Sequence, residues 1–276
     1  MKKDYVISVD LGGTKILSCL VSTDHNILGR VKNITDTSKG NEYLINVIAA
    51  SVKQLLTENN IVEAQVKAIS MGVPGTVNPE TGILADAPNL GIKNFNFKEA
   101  LQNHFDIPVL LENDVNLWGI GILHHEFKNE AKNMLVVCPG TGIGGALIFD
   151  GKLYRGSNFY AGEIGHMLVD DKGKLSSSSK SKTFEGLASR TAIVKNINKD
   201  IKKGKSSNIL EFTKGKKIKS SALAQSVKSG DKLVMKHVKR ACVITGTLLG
   251  SLTTLLNVDT IVLGGGVIEA MGDFML

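Results

Sequence analysis

The run 139–167 combines two kinds of group that bind small polar molecules. Its first part, the glycine loop Gly140-Thr141-Gly142-Ile143-Gly144-Gly145, follows an apolar strand predicted over 134–138. Because glycine leaves the backbone N–H groups accessible, such a loop can converge on an anion, most often a phosphate. Its second part, Glu163-Ile164-Gly165-His166, offers a carboxylate and an imidazole that suit sugar hydroxyls. A phosphate loop close to a polyol clamp indicates a kinase for a small polyhydroxylated substrate.

A second glycine segment, Asp10-Leu11-Gly12-Gly13-Thr14-Lys15, follows the first predicted strand. Its backbone N–H groups, hydroxyl and ammonium can hold a polyphosphate, at roughly 1.5–3 kcal/mol for each hydrogen bond to a charged group. Asp10 could position Mg²⁺ through water, since that ion keeps much of its hydration. Glycines at a turn also fit a plain hairpin, but their recurrence in the loop above and at Gly264-Gly265-Gly266 favours phosphate binding. The spacing is not that of GxxxxGK[ST], which disfavours a P-loop ATPase.

Asp114, in the triplet Glu112-Asn113-Asp114, is the candidate general base. It follows a buried strand at a predicted helix N-terminus, where the helix dipole favours the ionised form and lowers the pKa. Phosphoryl transfer has a loose transition state and the substrate proton leaves late, so positioning matters more than basicity. The alternative interpretation is an aspartate that only caps the helix.

Length and composition indicate a globular protein of one or two domains. A chain of 276 residues is long enough to bury roughly three quarters of its unfolded surface. No run approaches the 18 or so apolar residues of a membrane span, and Asp4 and Asp10 interrupt what would be a signal peptide. The cysteines Cys19, Cys138 and Cys242 lie far apart in apolar segments, as expected of reduced, buried thiols. We therefore expect a cytoplasmic protein.

Positive charge is concentrated in one stretch. Between Lys195 and Arg240 there are 14 Lys or Arg against 3 Asp or Glu, a net of +11, whereas the whole chain carries +7. This stretch could bind nucleic acid, but a solvated helical face is the commoner origin of such a pattern. Few aromatic residues alternate with the lysines, which further disfavours binding of single strands.

The N-terminal half predicts a β-meander followed by α/β units. Strands are expected at 5–9, 16–21 and 27–34, with Gly12 and Gly13 supplying positive φ at the first turn. An amphipathic helix over 41–59 presents Leu44, Ile48, Val52 and Leu55 on one face. The remaining predictions are a strand at 66–73, two extended pieces within 76–84, a helix at 98–105 and a strand at 109–111.

The C-terminal half repeats this order with a second meander at 134–138, 146–149 and 153–154. We therefore predict two lobes of similar plan, 1–114 and 115–276, whose phosphate loops face each other across a cleft. An exposed loop is expected at 170–182. Helices are expected at 184–199, 220–228 and 232–256, and the apolar second half of the last one predicts complete burial. A strand at 260–263 precedes the third glycine segment.

Four motifs, in chain order, together resemble the ROK family: residues 10–15, the triplet 112–114, the run 139–167 and Leu263-Gly264-Gly265-Gly266. The resemblance covers about residues 6–267. That family contains bacterial sugar kinases and sugar-responsive repressors on a two-lobed α/β fold, which is actin/hexokinase-like (ribonuclease H-like) with a nucleotide cleft between the lobes. It implies ATP and Mg²⁺, a first phosphate loop at 10–15, an adenosine loop at 264–266 and a homodimer. Related kinases continue with further helix, so the C-terminal end is expected to be short for the family.

The resemblance also implies a set of substrate contacts. In the family, the matching Asn-Asp pair is catalytic, which makes Asp114 the base and puts Asn113 beside it on the ring hydroxyls. The alternative interpretations are a core histidine for His166 and a carboxylate at a helix N-terminus for Glu185. The full set of implied sugar contacts is Gly75, Thr76, Asn89, Asn113, Asp114, Glu163, His166 and Glu185.

The chain departs from the family pattern at a metal site. In most members, a histidine matching His166 begins a zinc site that three cysteines complete. Those three positions hold Ser176, Ser178 and Thr183 here, and a neutral hydroxyl is a poor zinc ligand beside a thiolate. We therefore predict no structural zinc, and a loop that is ordered by other means or is mobile. Certain N-acetylmannosamine kinases also lack the cysteines.

The resemblance thus implies an ATP-dependent hexose kinase, with N-acetylmannosamine phosphorylated at its 6-hydroxyl, as in sialic acid catabolism. Glucose and N-acetylglucosamine are the alternatives. Family repressors place a winged helix-turn-helix before the first phosphate loop, and only nine residues precede Asp10, which are too few. A structural actin-like protein would not need the sugar clamp. The expected partners are ATP and a small sugar, with no nucleic acid and no membrane.

Overall fold

The computed structural model describes residues 4–169, 182–213 and 215–276. The chain divides into two compact units, one drawn from 1–120 and 155–160 and the other from 121–154 and 161–276. Each unit has its own cluster of buried apolar side chains.

The first unit contains a five-stranded and a three-stranded sheet. Its strands are β1 (Tyr5–Leu11), β2 (Lys15–Ser22), β3 (Ile27–Ile34), β4 (Val66–Val73), β5 (Thr76–Asn78), β6 (Ile83–Ala87), β7 (Ile92–Asn96) and β8 (Val109–Asn113). The larger sheet has the order β3-β2-β1-β4-β8, with β1 antiparallel to β2 and parallel to β4. β8 is also parallel to β4, so β1, β4 and β8 end at one edge. The predicted meander is confirmed.

The helices of this unit are α1 (Asn41–Glu58), α2 (Phe97–Gln102) and the first part of α3 (Asp114–His125). Within α1, Leu44, Ile48, Val52 and Leu55 are fully buried, which confirms the predicted apolar face. Each such side chain contributes about 1.5–3 kcal/mol relative to exposure. α2 begins one residue earlier and ends three residues earlier than predicted, because Asn96 accepts a hydrogen bond from the Glu99 N–H and so caps it.

The second unit has one four-stranded sheet. Its strands are β9 (Met134–Pro139), β10 (Ile143–Phe149), β11 (Lys152–Tyr154) and β12 (Thr260–Leu263), in the order β11-β10-β9-β12. β9 and β10 are antiparallel, which confirms the second meander, whereas β9 and β12 are parallel. The helices are α4 (Phe184–Ala188), α5 (Arg190–Ile201), α6 (Ser220–Lys228), α7 (Lys232–Leu256) and α8 (Ile268–Met275).

The single helix predicted over 184–199 is wrong. Ser189 has φ −66° and ψ 161°, an extended conformation that ends α4, and its hydroxyl oxygen accepts the Ala192 N–H to begin α5. A serine that caps the next helix competes with continuation of the preceding one. The sequence pattern did not reveal this break because both helices bury apolar residues on similar spacing.

The predicted burial of the second half of α7 is also wrong. Val243 and Leu255 are 65% and 76% exposed, whereas Leu248 and Leu252 are buried. Small and hydroxyl-bearing residues, among them Gly246 and Gly250, separate the apolar ones, so only one face packs on the unit. Within the described ranges, no helix is both long and apolar enough to cross a membrane.

The lysines of the basic stretch that the structure describes are largely exposed, as expected of a solvated face. Asp200 forms ion pairs with two other residues of this stretch. Asp200 Oδ2 lies 2.9 Å from Lys205 Nζ and 3.1 Å from His237 Nε2. The hydrogen bond from Lys205, followed by that with His237, lowers the pKa of Asp200 to about 2. This cluster joins the end of α5 to α7.

The Asp200 cluster predicts a pH dependence of stability. Because the folded-state pKa lies below the unfolded value of about 3.9, the ionised carboxylate stabilises the fold above about pH 4. That contribution is lost as the pH falls toward the folded-state pKa of about 2. We expect Asp200→Asn to lower the free energy of unfolding in urea at about pH 6, and the difference from the parent to vanish near pH 2. A constant difference across this range, or the same loss in the exposed Asp24→Asn control, would rule out the cluster as the cause.

Candidate functional site

The carboxyl ends of β1, β4 and β8 bring several predicted site residues to one edge of the first unit. Asp10 is paired in register with Gly72, and Gly72 is paired with Glu112 on the opposite side. Open α/β sheets bind ligands outside the carboxyl ends of their parallel strands. Asp10, Gly75 and Asp114 all lie at or just beyond these ends.

Gly72 makes room for Asp114, and the sequence analysis missed it. A Cβ at Gly72 would lie 3.6 Å from Asp114 Cα and 3.2 Å from Leu117 Cδ1. The start of α3 therefore packs directly against β4, which lies between β1 and β8 in the sheet. A glycine inside an otherwise apolar strand, as in the segment 70–73, is the signal that could have indicated this close approach.

Asp114 is partly buried, and this burial raises the pKa of its carboxyl group, with a further increase from the negative charge of Asp10. The lowered pKa predicted from the helix dipole is therefore wrong. The Val115 N–H does donate to Asp114 Oδ1 at 2.9 Å and opposes the increase, but desolvation is larger. A raised pKa makes the carboxylate a stronger proton acceptor than an exposed aspartate.

Asn113, rather than Asp114, provides most of the cap of α3. Its Oδ1 accepts the N–H groups of Val115 and Asn116 at 2.9 and 3.0 Å. Its Nδ2 donates to the Gly75 carbonyl oxygen at 3.0 Å. The Asn113 amide thus connects the ends of β4 and β8 and leaves one Nδ2 hydrogen for another acceptor.

Next to this pair lies a partly buried ionic network that no local sequence pattern predicts. Arg155 Nε donates to Glu112 Oε2 at 2.6 Å, and Glu112 is only 7% exposed. Glu112 Oε1 accepts from the Asn113 N–H and from Asn116 Nδ2. The network fixes the backbone just before Asp114. A charged residue at the end of an apolar strand was its only sequence signal.

The hairpin 10–15 connects β1 to β2, and its glycines act differently from the prediction. Neither Gly12 nor Gly13 has a positive φ. Instead, a Cβ at Gly12 would approach the Lys15 carbonyl oxygen to 3.2 Å, in a turn that the Gly12 N–H closes onto that same oxygen. Thr14 and Lys15 are exposed. Asp10 as a whole residue is also exposed. Nearby protein atoms nevertheless reduce the hydration of its carboxyl group, and this desolvation raises the pKa of that group.

The predicted sugar contacts of the first unit lie near this hairpin and near Asn113. Gly75 has φ +97°, and a Cβ there would overlap the Asp86 carbonyl oxygen, so only glycine fits. Thr76 pairs with Asp86 at the start of the three-stranded sheet. Asn89 is exposed, and its carbonyl oxygen would lie 3.9 Å from a Cβ at Gly13.

Two glycine segments lie side by side in the second unit. Of the loop predicted over 140–145, only Gly140-Thr141-Gly142 lies between strands, because Ile143, Gly144 and Gly145 begin β10 and pair with β9. Gly264–Gly266 follows the neighbouring parallel strand β12. The Gly264 N–H donates to the Val137 carbonyl oxygen at 3.0 Å. Gly265 has φ +79°, and a Cβ there would lie 2.6 Å from Cys138 Sγ. Glycine is therefore required at Gly265, where this segment passes the end of β9.

Side chains at the α4–α5 corner form hydrogen bonds with the glycine segment 140–145. Glu185 Oε2 accepts the Ile143 N–H at 2.8 Å, so this carboxylate is partly engaged by the loop rather than only facing a ligand. Arg190 Nη2 donates to Thr141 Oγ1 at 2.6 Å, and the Thr191 hydroxyl donates to the Thr141 carbonyl oxygen at 2.7 Å. Gly142 lies against Glu185, where a Cβ would overlap the carboxylate. Arg190 is a member of this site that no sequence motif indicated.

Glu163 and His166 lie on a short segment packed against β10. His166 Nε2 is 3.8 Å from Glu163 Oε2, and the imidazole side chain is 59% exposed. A core histidine is therefore excluded. A Cβ at Gly165 would overlap the Ile143 carbonyl oxygen, which explains a glycine between the two polar residues.

The residues at the family's zinc positions are described only in part. Ser176 and Ser178 lie outside the described residues. Thr183 accepts the Gly186 N–H at 3.1 Å and caps α4. Across 4–169, 182–213 and 215–276, no cluster of three or more His, Cys, Asp or Glu side chains could hold a metal. Cys19 is buried, whereas Cys138 and Cys242 are only half-buried, and the three cysteines are in the reduced form.

Comparison with known proteins agrees with these features. A glucokinase of Halalkalibacterium halodurans is 28% identical over 278 residues, which span 100% of this chain and 84% of that protein. A xylose repressor of Caldicellulosiruptor bescii is 25% identical over 264 residues, 94% of this chain and 65% of the repressor. The crystal structure of a ROK family glucokinase from Streptomyces griseus in complex with glucose and AMPPNP superposes with a TM-score of 0.80 at 25% identity, covering 96% of this chain and 84% of that chain.

The fold is therefore α/β and of the actin/hexokinase-like class predicted from the motifs. The sequence model of the ROK family matches residues 6–274, which is nearly the whole chain. This protein is a member of the ROK family.

Proposed function

We propose that this protein transfers the γ-phosphoryl group of ATP to the 6-hydroxyl of a hexose or an N-acetylhexosamine. The observation that carries the proposal is Asp114, a partly buried carboxylate of raised pKa at the end of β8. Asn113 takes most of the capping of α3, which leaves Asp114 available for chemistry. The relatives of this protein include proteins named glucokinase, and this supports a sugar as the acceptor of the phosphoryl group.

The acceptor hydroxyl would donate its proton to Asp114. Since the transition state is loose, the carboxylate chiefly orients the hydroxyl and takes the proton late. Asn113 would donate its second Nδ2 hydrogen to the oxygen of a ring hydroxyl. The Glu112–Arg155 pair keeps the backbone before Asp114 fixed, which preserves the near-attack geometry that positioning requires.

The residues of the first unit fit a hydrated Mg²⁺ ion. Asp10 supplies one exposed carboxylate, and its negative charge helps to raise the pKa of Asp114, so a cation beside the two carboxylates would be favoured. Mg²⁺ binds with one or two carboxylates plus waters and phosphate oxygens, and it supplies charge neutralisation on the phosphates. Asp10 would hold it through water. The backbone of 10–15 and of 140–145 would hold phosphate oxygens, and Gly264–Gly266 the adenosine.

Two observations favour different sugars. The relatives named glucokinase, and the glucose in the Streptomyces griseus structure, support glucose. The replacement of the three zinc cysteines by Ser176, Ser178 and Thr183 supports N-acetylmannosamine, which the resemblance ranks first. Glu163 and His166 would close on either sugar, as would Glu185.

A panel of sugars tests the proposal. We expect ADP release with Mg-ATP in a coupled assay for at least one of N-acetylmannosamine, N-acetylglucosamine, glucose and fructose, with kcat of about 1–10³ s⁻¹. The repressor relative gives the second candidate function, sugar-responsive DNA binding. An electrophoretic shift with generic DNA at physiological salt tests it directly. Inertness with all four sugars would overturn the kinase proposal, and a DNA shift would then favour the alternative.

A further inference from the structure

The guanidinium of Arg190 approaches the glycine loop without being needed to hold it. The Arg190 backbone N–H already donates to the Gly140 carbonyl oxygen at 3.1 Å, and Thr191 binds the Thr141 carbonyl oxygen. Glu185 secures the other end of the loop through the Ile143 N–H. These three contacts attach the α4–α5 corner to the loop through groups other than the Arg190 side chain.

Within the described part of the chain, the Arg190 side chain makes one hydrogen bond, and its acceptor is a hydroxyl. Its Nη2 donates to Thr141 Oγ1 at 2.6 Å. A hydroxyl has one hydrogen and two lone pairs, so an accepted bond leaves the hydrogen to donate elsewhere. Thr141 is exposed in the middle of a loop whose neighbours on both sides are glycines. Its proton can therefore reach an anion held by the loop.

Arg190 also brings positive charge to this loop. Among the residues that the structure describes, no carboxylate forms an ion pair with its guanidinium. A guanidinium has five donors, of which Thr141 takes one, and its planar fork suits phosphate oxygens. The cation also lies in the first turn of α5, where the helix dipole is already positive. Both contributions favour an anion at this place.

We propose that Arg190 is a positioning residue for the phosphate chain of the nucleotide. It holds Thr141 Oγ1 as an acceptor, so that the threonine proton points to a phosphate oxygen, and it adds charge behind the loop. The inference rests on the proposed function, since it assumes that the loop 140–145 binds ATP. The proposal gives the Arg190 and Thr141 side chains a role in phosphate binding. A loop that bound phosphate through backbone N–H groups alone would need neither side chain.

Binding of nucleotides that differ only in phosphate number tests the proposal. We expect Arg190→Ala and Thr141→Val each to weaken ATP binding about tenfold to a hundredfold by calorimetry, without sugar present, and to leave AMP binding unchanged. The double variant should lose little more than the worse single variant, because the two groups act as a unit. In turnover, KM for ATP should rise while KM for the sugar stays constant. Arg190→Lys should recover part of the loss.

The controls separate this proposal from a structural role and from failure of the proposed function. Lys195→Ala removes an exposed cation from the same helix and should bind ATP as the parent does. Equal loss of ATP and AMP binding in Arg190→Ala, or an equal loss in Lys195→Ala, would overturn the assignment. So would parent-like ATP binding by Thr141→Val. If the parent protein binds no ATP, the proposed function itself fails.

Discussion

Replacing Asp114 with Asn is expected to lower kcat by about 10²–10⁴, the usual loss for a positioned general base. The side chain keeps its size and can still accept the Val115 N–H, so the start of α3 should persist. What is lost is the group that takes the proton from the sugar hydroxyl. KM for the sugar and for ATP should change by a much smaller factor.

The control for this prediction is Asp24→Asn, the same chemical change at an exposed position of the same unit. Its kcat should equal that of the parent. Thermal melting of both variants checks that neither has unfolded. An Asp114→Asn enzyme with parent-like kcat would remove Asp114 from the mechanism.

Gly75→Ala is expected to destabilise the first unit strongly. Gly75 has φ +97°, and its new Cβ would overlap the Asp86 carbonyl oxygen and lie 2.9 Å from Ala87 Cα. Left-handed backbone costs an L-residue roughly 1–2 kcal/mol, and overpacking against backbone adds about 1–3 kcal/mol. We therefore predict a loss of about 3 kcal/mol in the free energy of unfolding, measured in urea. Because Asn113 Nδ2 donates to the Gly75 carbonyl oxygen, the sugar KM should also rise.

Gly91→Ala provides the matched comparison. Gly91 has φ +66° in the same unit, but a Cβ there meets nothing within 4 Å. It should cost only the backbone strain, roughly 1–2 kcal/mol, and leave the sugar KM unchanged. Equal losses in the two variants would show that the overlap at Gly75 is relieved without cost.

Features that depend on local pattern were predictable from the sequence. The apolar spacing in 41–59 predicted α1 and its buried face, and alternation around the glycine turns predicted both meanders. The order of the four motifs is sufficient to indicate the family, which the match over residues 6–274 confirms. Each of these depends on residues close together in the chain or on several independent short signals.

Features that depend on tertiary contact were not predictable. The Arg155–Glu112 and Arg190–Thr141 bonds join residues 43 and 49 positions apart, and no local pattern pairs them. The raised pKa of Asp114 depends on burial and on Asp10, which outweigh the helix terminus used for the prediction. The break at Ser189 likewise reflects the way in which the corner after α4 meets the glycine loop. The homodimer, the role of each site residue and the absence of zinc stay predictions.

The measurement that tests the central claim most directly is ³¹P NMR of the unmodified protein with Mg-ATP and each sugar of the panel. The account predicts a new phosphomonoester resonance that couples to the two protons on C6 of glucose or of an N-acetylhexosamine, growing as the γ-phosphate signal of ATP declines. A spectrum in which ATP persists unchanged with all four sugars, or in which only inorganic phosphate appears, would contradict it.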